Sequence, residues 1–295
     1  MESNNKNNNF IQVPVINKTE SLFARDTQNP SIILKEISLE AQQLIATEPY
    51  TITAKTDGTC GIICCVSKDS YLLMRRQDIR LKSRNYDMVV NNGESTIFAG
   101  SKCFVTKMIR GSGKSERIVP LYIFQLTENN KPEIEYNHVI GFTPILHDFA
   151  DDKYAVTAID GINGSPELKL FTTVFSGNLD VEVKSVLCSE ILQGNNLLTV
   201  EILGSKISNK YGFSNDNHII NIHGSITYPT EHTPELNYDY LKKWFESDST
   251  NRWANVEGIV IHFPLSNRRF KVHRGHVDLE STWKMKKESG IKFIH

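Results

Sequence analysis

The sequence predicts an α+β fold of antiparallel sheets with a few flanking helices. Short runs rich in β-branched and aromatic residues recur through most of the chain, divided by turn residues rather than by long helices. Only two stretches carry the 3.6-residue apolar spacing of an amphipathic helix. The 295 residues are 39% hydrophobic and 23% charged, ordinary for a soluble globular protein with a sizeable core.

Along the chain, residues 1–30 read as a polar, disordered tail that opens on an asparagine-rich run, and residues 31–295 as a single domain. Ile37, Ala41, Leu44 and Ile45 form an apolar stripe, which predicts a helix over 37–46. Three strands follow, Thr51–Lys55, Gly61–Val66 and Tyr71–Met74, punctuated by Asp57-Gly58 and by the polar run 67–70. Further strands are expected at Val119–Leu126, Leu168–Phe175, Leu197–Leu203, Ile219–Ile222, Gly258–Phe263 and Phe270–His273. A second helix over Tyr238–Glu246 has Asn237 as its N-cap and turns Leu241, Trp244 and Phe245 inward.

Bulk properties exclude several classes. No apolar run approaches the ~20 residues that cross a bilayer, and the N-terminus lacks the apolar core of a secretory signal. Five cysteines, an odd count without a Cys-x-x-Cys pair, argue against zinc and for reduced thiols in an intracellular, cytoplasmic protein. The net charge is −1 but unevenly spread. Residues 74–117 hold ten Lys/Arg against four acids, and residues 268–295 hold eight against three. Such segments are solvated faces or a polyanion footprint. Gly111-Ser112-Gly113-Lys114-Ser115 looks like the end of a P-loop, but Met108 stands where that pattern requires glycine.

The residues that can carry chemistry are ordered along the chain. Lys55 ends a strand, and Asp57-Gly58 turns into the next. A lysine becomes a nucleophile when burial and neighbouring cations, here Arg75 and Lys271, strip its proton near neutral pH. Asp57 can orient it, and Gly58 lets the backbone come close. Taken alone, the four residues Lys55–Gly58 read more readily as an exposed lysine on an ordinary turn. Glu201 sits among apolar residues, where a ribose hydroxyl or a structural arginine would satisfy it. Glu257 opens a strand and suits Mg²⁺ with phosphate co-ligands, or is a surface glutamate. Lys271 and His273 share one strand face and can clamp a triphosphate, though His273 also reads as a solvated or core imidazole.

Together these pieces resemble the covalent nucleotidyltransferase superfamily of polynucleotide ligases and capping enzymes. Lys55-Thr56-Asp57-Gly58 resembles its first motif. Arg75 falls where a ribose-contacting arginine is expected. Glu201-Ile202-Leu203-Gly204, Glu257-Gly258-Ile259-Val260 and Lys271-Val272-His273 resemble its later motifs. Adding Thr59-Cys60, Tyr211-Gly212, His223-Gly224, Trp244-Phe245-Glu246, Ile261-His262 and Arg274, the chain is most similar to the vertebrate-type 5′-to-3′ RNA ligase family.

That resemblance implies an ATP-grasp-like ligase adenylation domain over 31–295, with no following OB domain because only 22 residues succeed His273. It implies an RNA-repair activity, ATP-dependent sealing of 5′-phosphate to 3′-hydroxyl RNA ends. Lys55 would carry AMP, with Asp57 and Lys271 catalytic. Gly58, Arg75, Glu201, Glu257, Lys271 and His273 would contact the nucleotide, and Glu257 would hold Mg²⁺ or Mn²⁺. His273 stands where most of the superfamily has lysine. A catalytically inactive nucleotide- or RNA-binding module, or a nucleotidyltransferase with another acceptor, keeps the same fold, and the oligomeric state stays open.

Overall fold

The computed structural model describes residues 18–67, 70–111, 116–135, 137–160, 167–174, 179–192, 196–204, 207, 218–279 and 290–294. In chain order the strands are β1 (Glu20–Ser21), β2 (Phe23–Arg25), β3 (Ile33–Ile37), β4 (Thr51–Lys55), β5 (Thr59–Ser67) and β6 (Ser70–Arg80). After these come β7 (Glu94–Phe98), β8 (Ser101–Arg110), β9 (Arg117–Ile123), β10 (His138–Pro144), β11 (Ile159–Asp160) and β12 (Glu167–Val174). The last six are β13 (Asp180–Leu187), β14 (Leu197–Leu203), β15 (Ile219–Ile222), β16 (Gly258–Phe263), β17 (Arg268–His273) and β18 (Lys292–Ile294). Helix α1 (Leu39–Thr47) precedes β4, and helix α2 (Tyr238–Glu246) precedes β16.

Two sheets matter for function. The smaller has the order β1-β17-β16-β4, antiparallel except for the parallel β1–β17 edge. The larger is twelve-stranded and contains β14-β5-β6-β10 at its centre. The pleat sorts the small sheet into two faces. Ile52, Ala54, Ile259, Ile261, Phe270 and Val272 go to the core with α1 and α2. Thr53, Lys55, Val260, Lys271 and His273 share the opposite face, as the pairings Lys55↔Gly258↔His273 and Thr53↔Val260↔Lys271 require.

Both expected helices form. Asn237 Oδ1 accepts from Tyr240 N at 2.8 Å, capping α2, and Leu241, Trp244 and Phe245 are buried. Ser38 caps α1, whose Ala41 lies in the core with Ile37, Leu44 and Ile45 packed against it.

The expected tail over 1–30 needs correction from residue 20 onward, where β1 and β2 form. Leu22 and Phe23 are fully buried, each worth about 1.5–3 kcal/mol of apolar transfer. Two apolar residues amid polar ones gave too short a pattern to announce a strand. Residues 1–17 lie outside the described residues, as do Ser112–Ser115 of the P-loop look-alike and Tyr211-Gly212.

Candidate active site

The two sheets meet at the turn between β4 and β5. Lys55 is the last residue of β4 in one sheet, and Thr59 the first of β5 in the other. Asn221 Nδ2 donates to Thr56 Oγ1 at 2.9 Å, tying the turn to β15. Gly58 is required here, because a Cβ on it would collide with the Ile202 carbonyl oxygen of β14.

At this junction Lys55 Nζ stands 2.5 Å from Glu257 Oε2, the two side chains 27% and 19% exposed. Burial pulls the lysine's proton affinity down. Glu257, with Glu201 and Asp57 adding, outweighs that and raises it above the ordinary lysine range. The sequence expectation of a lysine stripped of its proton by its surroundings therefore fails. The carboxylates win because Glu257 touches the ammonium, while the cations sit further out.

The lowered lysine is Lys271. Burial, then the charges of Lys55 and Arg76, bring its pKa down to about 8 against the opposing pull of Glu257. His273 shares its face, and its Nδ1 accepts from Gly275 N at 3.1 Å. The His273 and His276 rings lie 3.6 Å apart between centroids. Burial first, then His273, Lys271, Arg25 and Lys55, push His276 down to about 3, so it is neutral. The next residue, Arg274, is structural. It pairs with Asp248 at 3.1 Å, donates to the Ala254 and Val256 carbonyls, and lies over Phe245, anchoring the end of β17.

The large sheet supplies the opposite wall. β14 pairs with β5 so that Glu201 faces Cys60, and β5 pairs with β6 so that Gly61 faces Arg75. Cys60 and Arg76 consequently share the face of Glu201, while Arg75 points to the other side. There Arg75 Nη1 meets the fully buried Asp152 at 3.2 Å, beside the bidentate Arg110 at 2.7 and 3.0 Å. Arg75 is not brought to the site; Arg76 is, its charge acting on both Cys60 and Lys271.

Glu201 Oε2 lies 3.0 Å from His223 Nε2, and Cys60, Glu201 and His223 present ligand atoms within 4.8 Å of one another. Burial and then Glu201 push the Cys60 thiol up to about 12, while a hydrogen bond from Arg76 works the other way. A guanidinium at the sulfur makes this a hydrogen-bonded chain rather than a soft-metal site.

Behind it, His262 Nε2 is 2.8 Å from Thr53 Oγ1, and burial with Arg269 and His223 lowers its pKa to about 4. Nδ1 of His223, Nδ1 of His262 and Oγ1 of Thr51 are buried without a hydrogen-bond partner among the described residues. Such orphans are costly unless a ligand satisfies them.

Lys55, Asp57, Gly58, Glu201, Glu257, Lys271 and His273 thus gather at one junction, a carboxylate-paired amine facing a cationic corner. The family model for RNA ligase 1 matches residues 11–289. The chain belongs to the RNA ligase 1 family. Among curated proteins none matches it.

For an RNA ligase the residues that the motif reading missed are informative. Arg76 was one register step away from the residue chosen. Cys60, His223 and His262 fell inside the resembling stretches but had no assigned chemistry. His276 and Arg25 had no motif signal, since their place depends on pairing between opposite ends of the ligase chain. Among its described residues no helix is long and apolar enough to cross a membrane.

Proposed function

We propose that this chain is an ATP-dependent RNA ligase of the covalent nucleotidyltransferase superfamily and of vertebrate type. It would join a 5′-phosphate RNA end to a 3′-hydroxyl end through a lysyl-AMP on Lys55 and an RNA-adenylate. The observation that carries the reading is the Lys55–Glu257 pair at 2.5 Å beneath the charges of Lys271 and Arg76.

The residues fit the groups such a reaction needs. Glu257, Glu201 and Asp57 all act on one ammonium, an excess of oxygen-borne negative charge that suits a hard divalent cation. Mg²⁺ or Mn²⁺ on Glu257 would supply charge against the phosphates and offset the carboxylate that holds the Lys55 proton. Lys271, with His273 beside it, and Arg76 face the phosphates of the nucleotide. Glu201, held by His223, would take the ribose. The unpartnered nitrogens of His223 and His262 and the Thr51 hydroxyl lie behind, where a purine would satisfy them.

In the first step the Lys55 proton leaves to solvent and the free amine attacks the α-phosphorus. The P–N bond forms as the bond to the β-phosphate oxygen breaks, and pyrophosphate departs with the electron pair. The RNA 5′-phosphate then displaces Lys55, and a 3′-hydroxyl finally displaces AMP. Each transition state spreads charge over phosphoryl oxygens, so fixed cations supply most of the acceleration.

Incubation with α-labelled ATP and Mg²⁺, followed by a denaturing gel, tests this. Wild type should carry acid-labile, alkali-stable label, and Lys55→Ala and Lys55→Arg should carry none, because arginine stays protonated. Label surviving in Lys55→Ala would remove the nucleophile.

A further inference from the structure

The first strands among the described residues run beside the cationic corner. β1 lies parallel to β17 with Ser21 in register with Lys271, and Leu22 N donates to Lys271 O at 3.0 Å. Ser21 Oγ lies 3.4 Å from His276 Nδ1. β2 then carries the exposed Arg25, whose Nη1 donates to Pro30 O at 2.5 Å. A cleft of about 1010 Å³ opens here, walled by Ser21, Arg25, Ser31 and Lys271 among others.

Arg25 is close enough for its charge to act on both Lys271 and His276. Two of the four carboxylates lining the cleft are already paired with cations. Asp78 pairs with Lys18 at 3.2 Å and Arg76 at 3.3 Å, and Glu20 with Arg268 at 3.1 Å. Glu133 and Glu135 line the cleft as well.

Lys271 shares a strand face with Lys55 and lines the cleft together with Arg25, so a phosphate chain that begins at Lys55 runs over Lys271 toward the β1–β2 arm. Resting on the nucleotidyl-transfer reading above, we propose that this arm is a subsite for the terminal phosphate of the nucleoside triphosphate, with Arg25 its charged contact. The pyrophosphate leaving group departs along the same cleft.

The RNA 5′-phosphate later enters opposite Lys55, at the position the β-phosphate vacates. A contact to the terminal phosphate therefore serves adenylylation and its reversal, and nothing after. In reversal a pyrophosphate oxygen attacks the phosphorus of lysyl-AMP. A P–O bond forms, the P–N bond breaks, the amine takes the electron pair and then a proton, and ATP is released.

The experiment uses the full chain as wild type, Arg25→Gln and Arg25→Lys. It measures self-labelling from ATP, discharge of preformed lysyl-AMP by inorganic pyrophosphate, and sealing of pre-adenylated RNA. Arg25→Gln should lower the first two about 10-fold to 100-fold, the loss of one charge-assisted hydrogen bond. Sealing should be unchanged and Arg25→Lys intermediate. Equal losses in all three assays would make Arg25 an RNA or folding residue and overturn the subsite. Labelling and discharge at the wild-type rate would also overturn it. Absence of label on wild type would instead sink the nucleotidyl-transfer reading itself.

Discussion

Arg75 and Arg76 sit on opposite faces of β6, and their loss should separate stability from chemistry. Arg75 shares the buried Asp152 with Arg110. Arg75→Ala should cost about 1–3 kcal/mol of stability, seen as a lower Tm, and leave self-labelling of the folded fraction near wild type. Arg76→Ala should fold normally and label on the order of 10²-fold more slowly, the scale of losing one preorganised charge at a phosphoryl centre. The reverse pattern would return the ribose role to Arg75. Lys271 makes a pH prediction of definite sign. Its pKa near 8 means that the free protein loses this cation as pH rises through about 8, so kcat/KM for ATP should fall above that value. Lys271→Arg should move the falling limb to higher pH. Stability runs the other way. Between about 8 and the ~10.4 of an unfolded lysine, the unfolded chain holds a proton that the folded one has shed, so stability attributable to this group rises with pH. A flat rate profile through pH 8–9 would show that Lys271 bears no phosphate.

At the scale of elements, the turn from β4 to β5 joins Lys55 of one sheet to the other sheet's wall. Gly58→Ala forces its new Cβ against the Ile202 carbonyl, and β4 is the element free to give. Self-labelling should drop at least about 10-fold while far-UV circular dichroism stays native, since a small misplacement of the attacking atom suffices. Unchanged labelling would mean that the turn tolerates the side chain. Which elements were legible follows from local chemistry. β4, β14, β15 and α2 carry short runs rich in β-branched residues or a capped apolar stripe, and their expected limits hold. The hairpin β7–β8 was missed because its turn places Ala99 at φ 47° before Gly100 at φ 71°, and alanine hides the usual Asn-Gly signal for that conformation. Strand β8 also exposes lysines and Ile109, so within the basic segment 74–117 it shows no clean alternation of apolar and polar residues. The site's membership was largely legible because the motif residues are contiguous. Its electrostatics were not, because the carboxylate that holds Lys55 lies 202 residues away, and which arginine of a pair faces inward depends on strand register alone.

Across the whole molecule, the basic surface beyond the junction bears on RNA. Arg80 and Lys82 are exposed at the end of β6 and just after it. Neutralising Arg80, Lys82 and Arg84 together should spare self-labelling but weaken joining of a 5′-phosphorylated nicked RNA hairpin. The log–log salt slope should become shallower by about 2.7, as three lost duplex phosphate contacts imply. Equal losses in labelling and joining would assign the segment to the fold. A last consequence follows from the parallel edge of the small sheet, where Ser21 meets His276, 255 residues later. Loop-closure entropy makes such a pairing late. On the ribosome, synthesis at about 5–20 residues per second leaves Lys55 exposed for many seconds before Glu257, Lys271 and the partner strand of β1 exist. On the reading proposed above, a nascent or truncated chain that ends before Glu257 lacks both the carboxylate and the second lysine of the site, and should take no label from ATP.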